Sequence, residues 1–120
     1  MIEDYNKRTV LLIMRFSNEN SSKKHKQEYA PKIQRLIEKL SSGACKMAFA
    51  SPGGDEFGFF LRTNTPLRVI RAKLYGTAQD ADEALLLSGD SLLALEIGSD
   101  FDGQGYSAAW TWLQHHHGKD

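Results

Sequence analysis

Lysine and arginine are the residues of this chain whose number and placement most clearly indicate a chemical role, which is the binding of phosphate groups. Residues 1–73 carry fourteen basic and seven acidic residues, whereas residues 74–120 carry one basic and eight acidic residues. Because lysine and arginine neutralise phosphates, such a basic half can attract a polyanion. The residues that we expect to contact nucleic acid are Lys23, Lys24, Lys26, Lys32, Arg35, Arg68, Arg71 and Lys73. The alternative is that these charges form solvated faces without a partner.

Metal-binding patterns in the sequence are incomplete. Asp100, Asp102 and Gly105 have the spacing of the first positions of a calcium loop, but Thr111 stands where such a loop needs a glutamate. Three consecutive histidines, residues 115–117, would point about 100° apart on a helix and could not all bind one ion. We therefore expect neither a metal site nor a cofactor.

Catalytic patterns are incomplete as well. The single cysteine, Cys45, could be a nucleophile activated by a histidine, but its place at the start of an apolar strand favours a buried, inert thiol. No set of nucleophile, base and orienting group is complete. We therefore expect a protein without enzymatic activity, and the enzymatic alternative stays open.

Alternating apolar residues predict the strands that would position the basic residues. Strands are expected at Thr9–Phe16, at the alternating Cys45, Met47 and Phe49, at Phe57, Phe59 and Leu61, and at Asp90–Ile97. The turn at residues 51–55 joins the second and third runs into a hairpin. Phe57, Phe59 and Phe60 could stack bases, but the alternation favours a core position for Phe57 and Phe59 and leaves Phe60 exposed beside Arg62.

Helical spacing predicts the elements between the strands. Ile33, Leu36, Ile37 and Leu40 form one apolar stripe, with Pro31 in the first turn and Gly43 just past the end. A second helix covers Leu67–Tyr75, with Thr65 as its cap, Pro66 as its first residue and Gly76 at its end. One or two helical turns are expected around 84–87, and a terminal helix begins near Ser107.

The order of these elements predicts an α+β fold of the ferredoxin-like split βαβ type (βαββαβ). It consists of a four-stranded antiparallel sheet with two helices on one face and a short C-terminal helix. The length of 120 residues fits a single domain covering residues 1–120. The acidic start lacks the features of a signal peptide, and one cysteine suits a reducing compartment, so we expect a cytoplasmic protein without membrane contact.

The C-terminal half resembles small ferredoxin-like proteins of the CRISPR adaptation dimer-subunit type and their unclassified bacterial relatives. The likeness runs from the strand Phe57–Thr63 through residues 65–74 to residues 90–97, and extends to Trp110 and Trp112. It implies a bacterial homodimer that holds nucleic acid. Family members that cleave nucleic acid place an acidic residue at the end of the first strand, where this chain has Arg15-Phe16-Ser17. We therefore carry over no catalytic residue.

Two functions remain after these arguments. The first is a small non-enzymatic protein that associates with nucleic acid as a homodimer. The second is a protein-interaction module, such as a small regulator or a mobile-element inhibitor, that uses a sheet edge and the C-terminal helix, with Trp112 facing the partner.

Overall fold

The sheet and its helices are seen in a computed structural model that describes residues 7–76, 84–102 and 104–116, without the side chains of residues 107, 108 and 110. In chain order the elements are β1 (Arg8–Arg15), a 3-10 helix (Asn18–Asn20), α1 (Lys23–Ser41), β2 (Cys45–Ala50), β3 (Glu56–Thr63), α2 (Leu67–Tyr75), β4 (Ser91–Ile97) and α3 (Ser107–His116). None of the described helices is long and apolar enough to cross a membrane.

The four strands form one sheet in the order β2-β3-β1-β4, and all neighbouring strands are antiparallel. The chain is therefore α+β, as predicted, and its architecture is compatible with a ferredoxin-like fold. β1 lies at the centre because its nearly continuous apolar run can be covered on both faces. Leu12, for example, lies opposite Phe59 of β3 and Ala94 of β4.

One face of the sheet, here called the helix face, packs against α1 and α2. Alternate β1 residues Val10, Leu12 and Met14 point to it and are fully buried. They share one apolar core with Ile33 and Ile37 of α1, and the same core includes Phe57, Phe59, Leu61, Ile70 and Leu74. The predicted core positions of Phe57 and Phe59 are confirmed.

α1 begins eight residues earlier than Pro31, so the predicted position of that proline in the first turn is wrong. Ser22 caps the helix, and its hydroxyl accepts a hydrogen bond from the His25 amide at 3.1 Å. Pro31 lies inside the helix on its exposed side, where water can solvate the carbonyl that loses its donor. The end of the helix is as predicted, because Gly43 follows it at φ 87° and donates to the Glu38 carbonyl.

α2 also differs from its prediction at the start and agrees at the end. Its cap residue is Pro66, without a side-chain cap bond, so Thr65 does not cap the helix. Gly76 ends it at φ 79°, as expected. Residues 85 and 86 form a bend, and residues 84 and 87 have no regular structure, so the helical turns predicted around 84–87 are not found; residues 77–83 lie outside the described part.

A β-bulge interrupts the alternation that the sequence predicts for β2. The register with β3 shifts between Met47 and Phe49, which sends Phe49 to the face opposite Cys45 and Met47. The Phe49 ring then crosses Gly58 so closely that a Cβ on Gly58 would lie 2.4 Å from a ring carbon. Glycine at this position of β3 is therefore required by the bulge.

A buried carboxylate holds the loops at one end of the sheet. Asp90 accepts hydrogen bonds from the Ser17 amide at 2.8 Å, the Asn20 side chain at 3.0 Å and the Leu87 amide at 2.8 Å. The Tyr75 hydroxyl donates to the Asp90 carbonyl at 2.8 Å. Burial, and then the negative charge of Asp90, raise the pKa of Tyr75, and Arg71 opposes them. Asp90 thus connects β4 to α2 and to the loop after β1.

The opposite face of the sheet, here called the second face, is only partly covered. α3 packs near β2, and its Trp112 ring stacks on Phe60 of β3 at 6.1 Å between ring centroids. Leu93 and Leu95 of β4 also point to this face, and 53% and 42% of their surface remain exposed.

Candidate nucleic-acid interface

The eight basic residues predicted to contact nucleic acid all lie on the two helices that cover the helix face. Five are on α1 and three on α2. All except Lys26 are exposed to solvent. The fold therefore brings residues that are distant in sequence into one outer layer, here called the basic layer, which consists of the exposed faces of α1 and α2.

The charge of the basic layer is strongly one-sided. α1 carries six basic and two acidic residues, and α2 carries three basic residues and no acidic one. Lys39 of α1 belongs to this layer but was absent from the predicted set. Its helical spacing from Lys32 and Arg35, which places all three off the apolar stripe, is the signal that identifies it.

The first turn of α1, which carries Lys23 and Lys24, is held in place by aromatic contacts. The His25 ring stacks on Tyr29 at 4.3 Å and meets the edge of Phe16 at 5.3 Å. These contacts attach the first turn of α1 to the core, and Lys23 and Lys24 extend from this turn into solvent.

Lys26 has a different environment from the other seven predicted residues. Its ammonium group lies 2.8 Å from the Asp55 carboxylate and also donates to the Gly53 carbonyl. Only 20% of its side chain is exposed. We therefore interpret Lys26 as a residue that ties α1 to the β2–β3 turn, and we leave it out of the variants that test binding.

Lys32 forms a weaker contact that leaves it available to a ligand. Its ammonium lies 3.6 Å from Glu28, one helical turn earlier, and 5.2 Å from the centre of the Tyr29 ring. Exposed pairs of this type contribute only about 0.3–0.5 kcal/mol. A phosphate group could replace this partner at little cost.

Two further arginines, Arg8 and Arg62, serve the fold. The Arg8 guanidinium lies 2.8 Å from Glu96 of β4 and donates to the Thr65 carbonyl. Arg62 is buried on the second face and donates to the Thr9 hydroxyl at 3.2 Å. Burial lowers the pKa of Arg62, because desolvation disfavours the charged form.

Aromatic side chains on the second face do not form an open platform for bases. Phe60, which was expected to be exposed, is half-buried under Trp112, and Trp112 in turn stacks on His116 at 4.7 Å. Only 9% of Trp112 is exposed, so the exposure on which its predicted contact with a partner depends is not found. The side chain of Trp110 lies outside the described residues.

An apolar pocket of about 290 Å³ lies between the second face and α3. Leu11, Phe49 and Phe60 form its floor, and Tyr106 and Leu113 lie on the side of α3. Among the described residues of its lining, Asp102 is the one carboxylate, and none is a histidine, cysteine or serine. These described residues form no pair of nucleophile and base, and they suit an apolar group better than a reaction.

Residues considered for metal binding and catalysis are dispersed in the described part of the chain. No group of three or more His, Cys, Asp or Glu side chains comes together there. Cys45 is half-buried on the edge strand β2 rather than in the core, so its predicted burial is only partly met. His115 and His116 are exposed at the end of α3.

Comparisons with protein-family models, with curated proteins and with solved structures found no match to this chain. Only the geometry and charge of the molecule itself therefore indicate a function.

Proposed function

We propose that this chain binds nucleic acid through the basic layer and acts as a homodimer without catalysing a reaction. The observation that supports the proposal best is the composition of that layer, which has eight exposed basic residues and two acidic ones on the two helices that cover the helix face. Helix-borne lysines and arginines can contact successive phosphates and release their counterions.

The resemblance to the CRISPR adaptation dimer-subunit type is one further support, and it stays a hypothesis. Assignment to the ferredoxin-like class is part of this proposal, supported by the strand order β2-β3-β1-β4 with antiparallel neighbours. Arg15 ends β1 where cleaving relatives have an acidic residue, which favours binding over cleavage. A bacterial origin and a cytoplasmic location likewise remain predictions.

Fluorescence anisotropy with labelled duplex DNA and single-stranded RNA, at low and at near-physiological salt, tests this proposal. We expect affinity to fall steeply with salt, because binding releases counterions. The double variant Lys23→Glu and Lys24→Glu should weaken binding about tenfold or more at low salt.

The matched control is Lys46→Glu, which changes an exposed lysine of β2 on the opposite face of the sheet. We expect the control to bind much more tightly than the double variant. No binding by the wild-type protein at low salt would refute the proposal, and so would an equal loss of affinity in the control.

The alternative function is a protein-interaction module, a small regulator or a mobile-element inhibitor. The exposed Leu93 and Leu95 on edge strand β4 favour it, because such an edge can accept a strand from another protein. Purification with a stoichiometric foreign protein that is lost in Leu95→Lys, together with no affinity for nucleic acid, would select this alternative.

A further inference from the structure

The two edges of the sheet differ in how well they resist pairing with another strand. β2 carries the bulge between Met47 and Phe49 and the exposed Lys46, two features that oppose edge-to-edge association. β4 carries neither. Its register with β1 continues without interruption from Thr9↔Ile97 to Arg15↔Ser91. Its outer edge pairs with no strand in the described part of the chain.

The side chains of β4 are also suited to association. Leu93 and Leu95 are exposed, and they continue the half-buried surface of Ile13 and Leu11, which lie opposite them in β1. The one charged residue of the strand, Glu96, is already paired with Arg8 at 2.8 Å. An exposed apolar strip on an unprotected edge is a site where another strand adds.

We propose that β4 pairs antiparallel with β4 of a second copy, about a twofold axis at Ala94. The strand has seven residues and Ala94 is its midpoint, so this alignment pairs the strand over its whole length. It places Leu93 of one copy opposite Leu95 of the other on the second face. Leucines on both sides of the midpoint suit an isologous contact, in which both copies use the same surface.

Side chains of the two paired strands are compatible with this alignment. At the three central positions it places apolar residues opposite apolar ones, Leu93 opposite Leu95 and Ala94 opposite Ala94. Glu96 comes opposite Leu92 and keeps its ion pair with Arg8 of its own chain at 2.8 Å, so the alignment leaves no charge of β4 unpaired. This self-complementarity favours a second copy over an unrelated strand.

The dimer also extends the proposed nucleic-acid interface, and this consequence rests on the proposed function. The twofold axis of an antiparallel strand pair is perpendicular to the sheet, so the helices of both copies lie on the same side. The two basic layers then form one surface with two symmetric sets of phosphate contacts. A duplex is the polyanion whose twofold backbone symmetry fits such a surface.

Analytical ultracentrifugation without nucleic acid tests the dimer separately from binding. We expect the wild-type protein to sediment with twice the mass of one chain, and the double variant Leu93→Lys and Leu95→Lys to sediment as a single chain. Met47→Lys, an exposed apolar residue on the other edge strand, is the matched control and should remain dimeric. A monomeric wild type, or a dimer unaffected by the double lysine variant, overturns the proposal.

A crosslinking experiment keeps the test decisive if the lysine variant fails to fold. In a Cys45→Ser background, Ala94→Cys should form an intermolecular disulfide on mild oxidation, because the axis places the two Ala94 residues opposite each other. Ser91→Cys should not, since its partner is Ile97. Equal crosslinking of both variants, or of neither, refutes the alignment. Lys23→Glu with Lys24→Glu should leave the mass unchanged, so failure of nucleic-acid binding is distinguishable from failure of the dimer.

Discussion

The two faces of the sheet use the same strands but reach different degrees of burial. On the helix face, Leu12 is fully buried between the strands and α1 and α2, whereas its neighbour Leu11 on the second face is only half-buried beside a pocket. Side chains at successive strand positions point to opposite faces, so β1 contributes residues to both the helix face and the second face. The helix face therefore holds the apolar core that stabilises the fold, whereas the second face keeps part of its apolar surface exposed.

The largest effect that distinguishes the faces should come from Leu12→Ala. Removing a fully buried leucine from a packed core costs about 3–4 kcal/mol of unfolding free energy, because a cavity remains. Leu11→Ala, the matched control in the same strand, should cost about 1–2 kcal/mol, since part of that side chain already contacts solvent. Chemical denaturation of both variants measures the difference, and equal losses would contradict the contrast between the faces.

The next largest effect should come from the carboxylate that anchors the helix-face loops. Asp90→Ala would leave the partly buried amides of Ser17 and Leu87 without an acceptor and should cost about 3 kcal/mol. Asp90→Asn keeps one acceptor but turns a donor towards one of these groups, so an intermediate loss is expected. Thermal unfolding would measure both. If Asp90→Asn were the more destabilised of the two, the acceptor role assigned to the carboxylate would be wrong.

A smaller effect should come from the close contact between Gly58 and Phe49 on the second face. Gly58→Ala puts a methyl group 2.4 Å from the Phe49 ring, so the ring must move, and we expect a loss of about 2 kcal/mol. Gly98→Ala is the control, because a Cβ there meets no atom within 4 Å. Urea denaturation should separate the two variants. Comparable stabilities would mean that Phe49 moves aside freely and that the sheet is loosely packed at this position.

The smallest effect should be a pH dependence of the unfolding free energy, caused by Tyr75 of α2. Burial raises the pKa of Tyr75 in the folded state, so its neutral form stabilises the fold below the ordinary tyrosine pKa of about 10. This contribution decreases as the pH rises above that value, because the unfolded chain then loses its proton first. Tyr75→Phe should cost about 1 kcal/mol at neutral pH.

The measurement for Tyr75 is the stability difference between wild type and Tyr75→Phe at pH 7 and above pH 10. We expect the difference to shrink at the higher pH. A difference that stays constant would exclude Tyr75 as the titrating group.

The strands were more predictable from sequence than the helix starts. The apolar run of β1 and the alternation of Phe57, Phe59 and Leu61 reflect burial directly, and both were confirmed. The start of α1 was missed because Pro31 gave a stronger local signal than the cap at Ser22. The bulge in β2 was missed because it depends on how Phe49 packs against Gly58, a contact between two strands.

The sequence predicted which basic residues make up most of the candidate interface, but it did not predict that Lys26 has a structural role instead. Helical spacing indicated which lysines of α1 face solvent. It gave no sign that Lys26 pairs with Asp55, because that contact joins the helix to a hairpin turn 29 residues away. Contacts between distant segments are what local patterns cannot report.

The central position of β1 has a consequence for how the chain is made in the cell. β1 leaves the ribosome before every other strand, yet both of its neighbours, β3 and β4, follow later in the sequence. The edge of β1 that later pairs with β4 therefore has no partner until β4 has been synthesised. Non-local pairing of this kind slows folding and exposes apolar segments in the meantime. A nascent chain that stalls after α2 would present β1 as an unpaired edge, which makes it a substrate for chaperones and proteases.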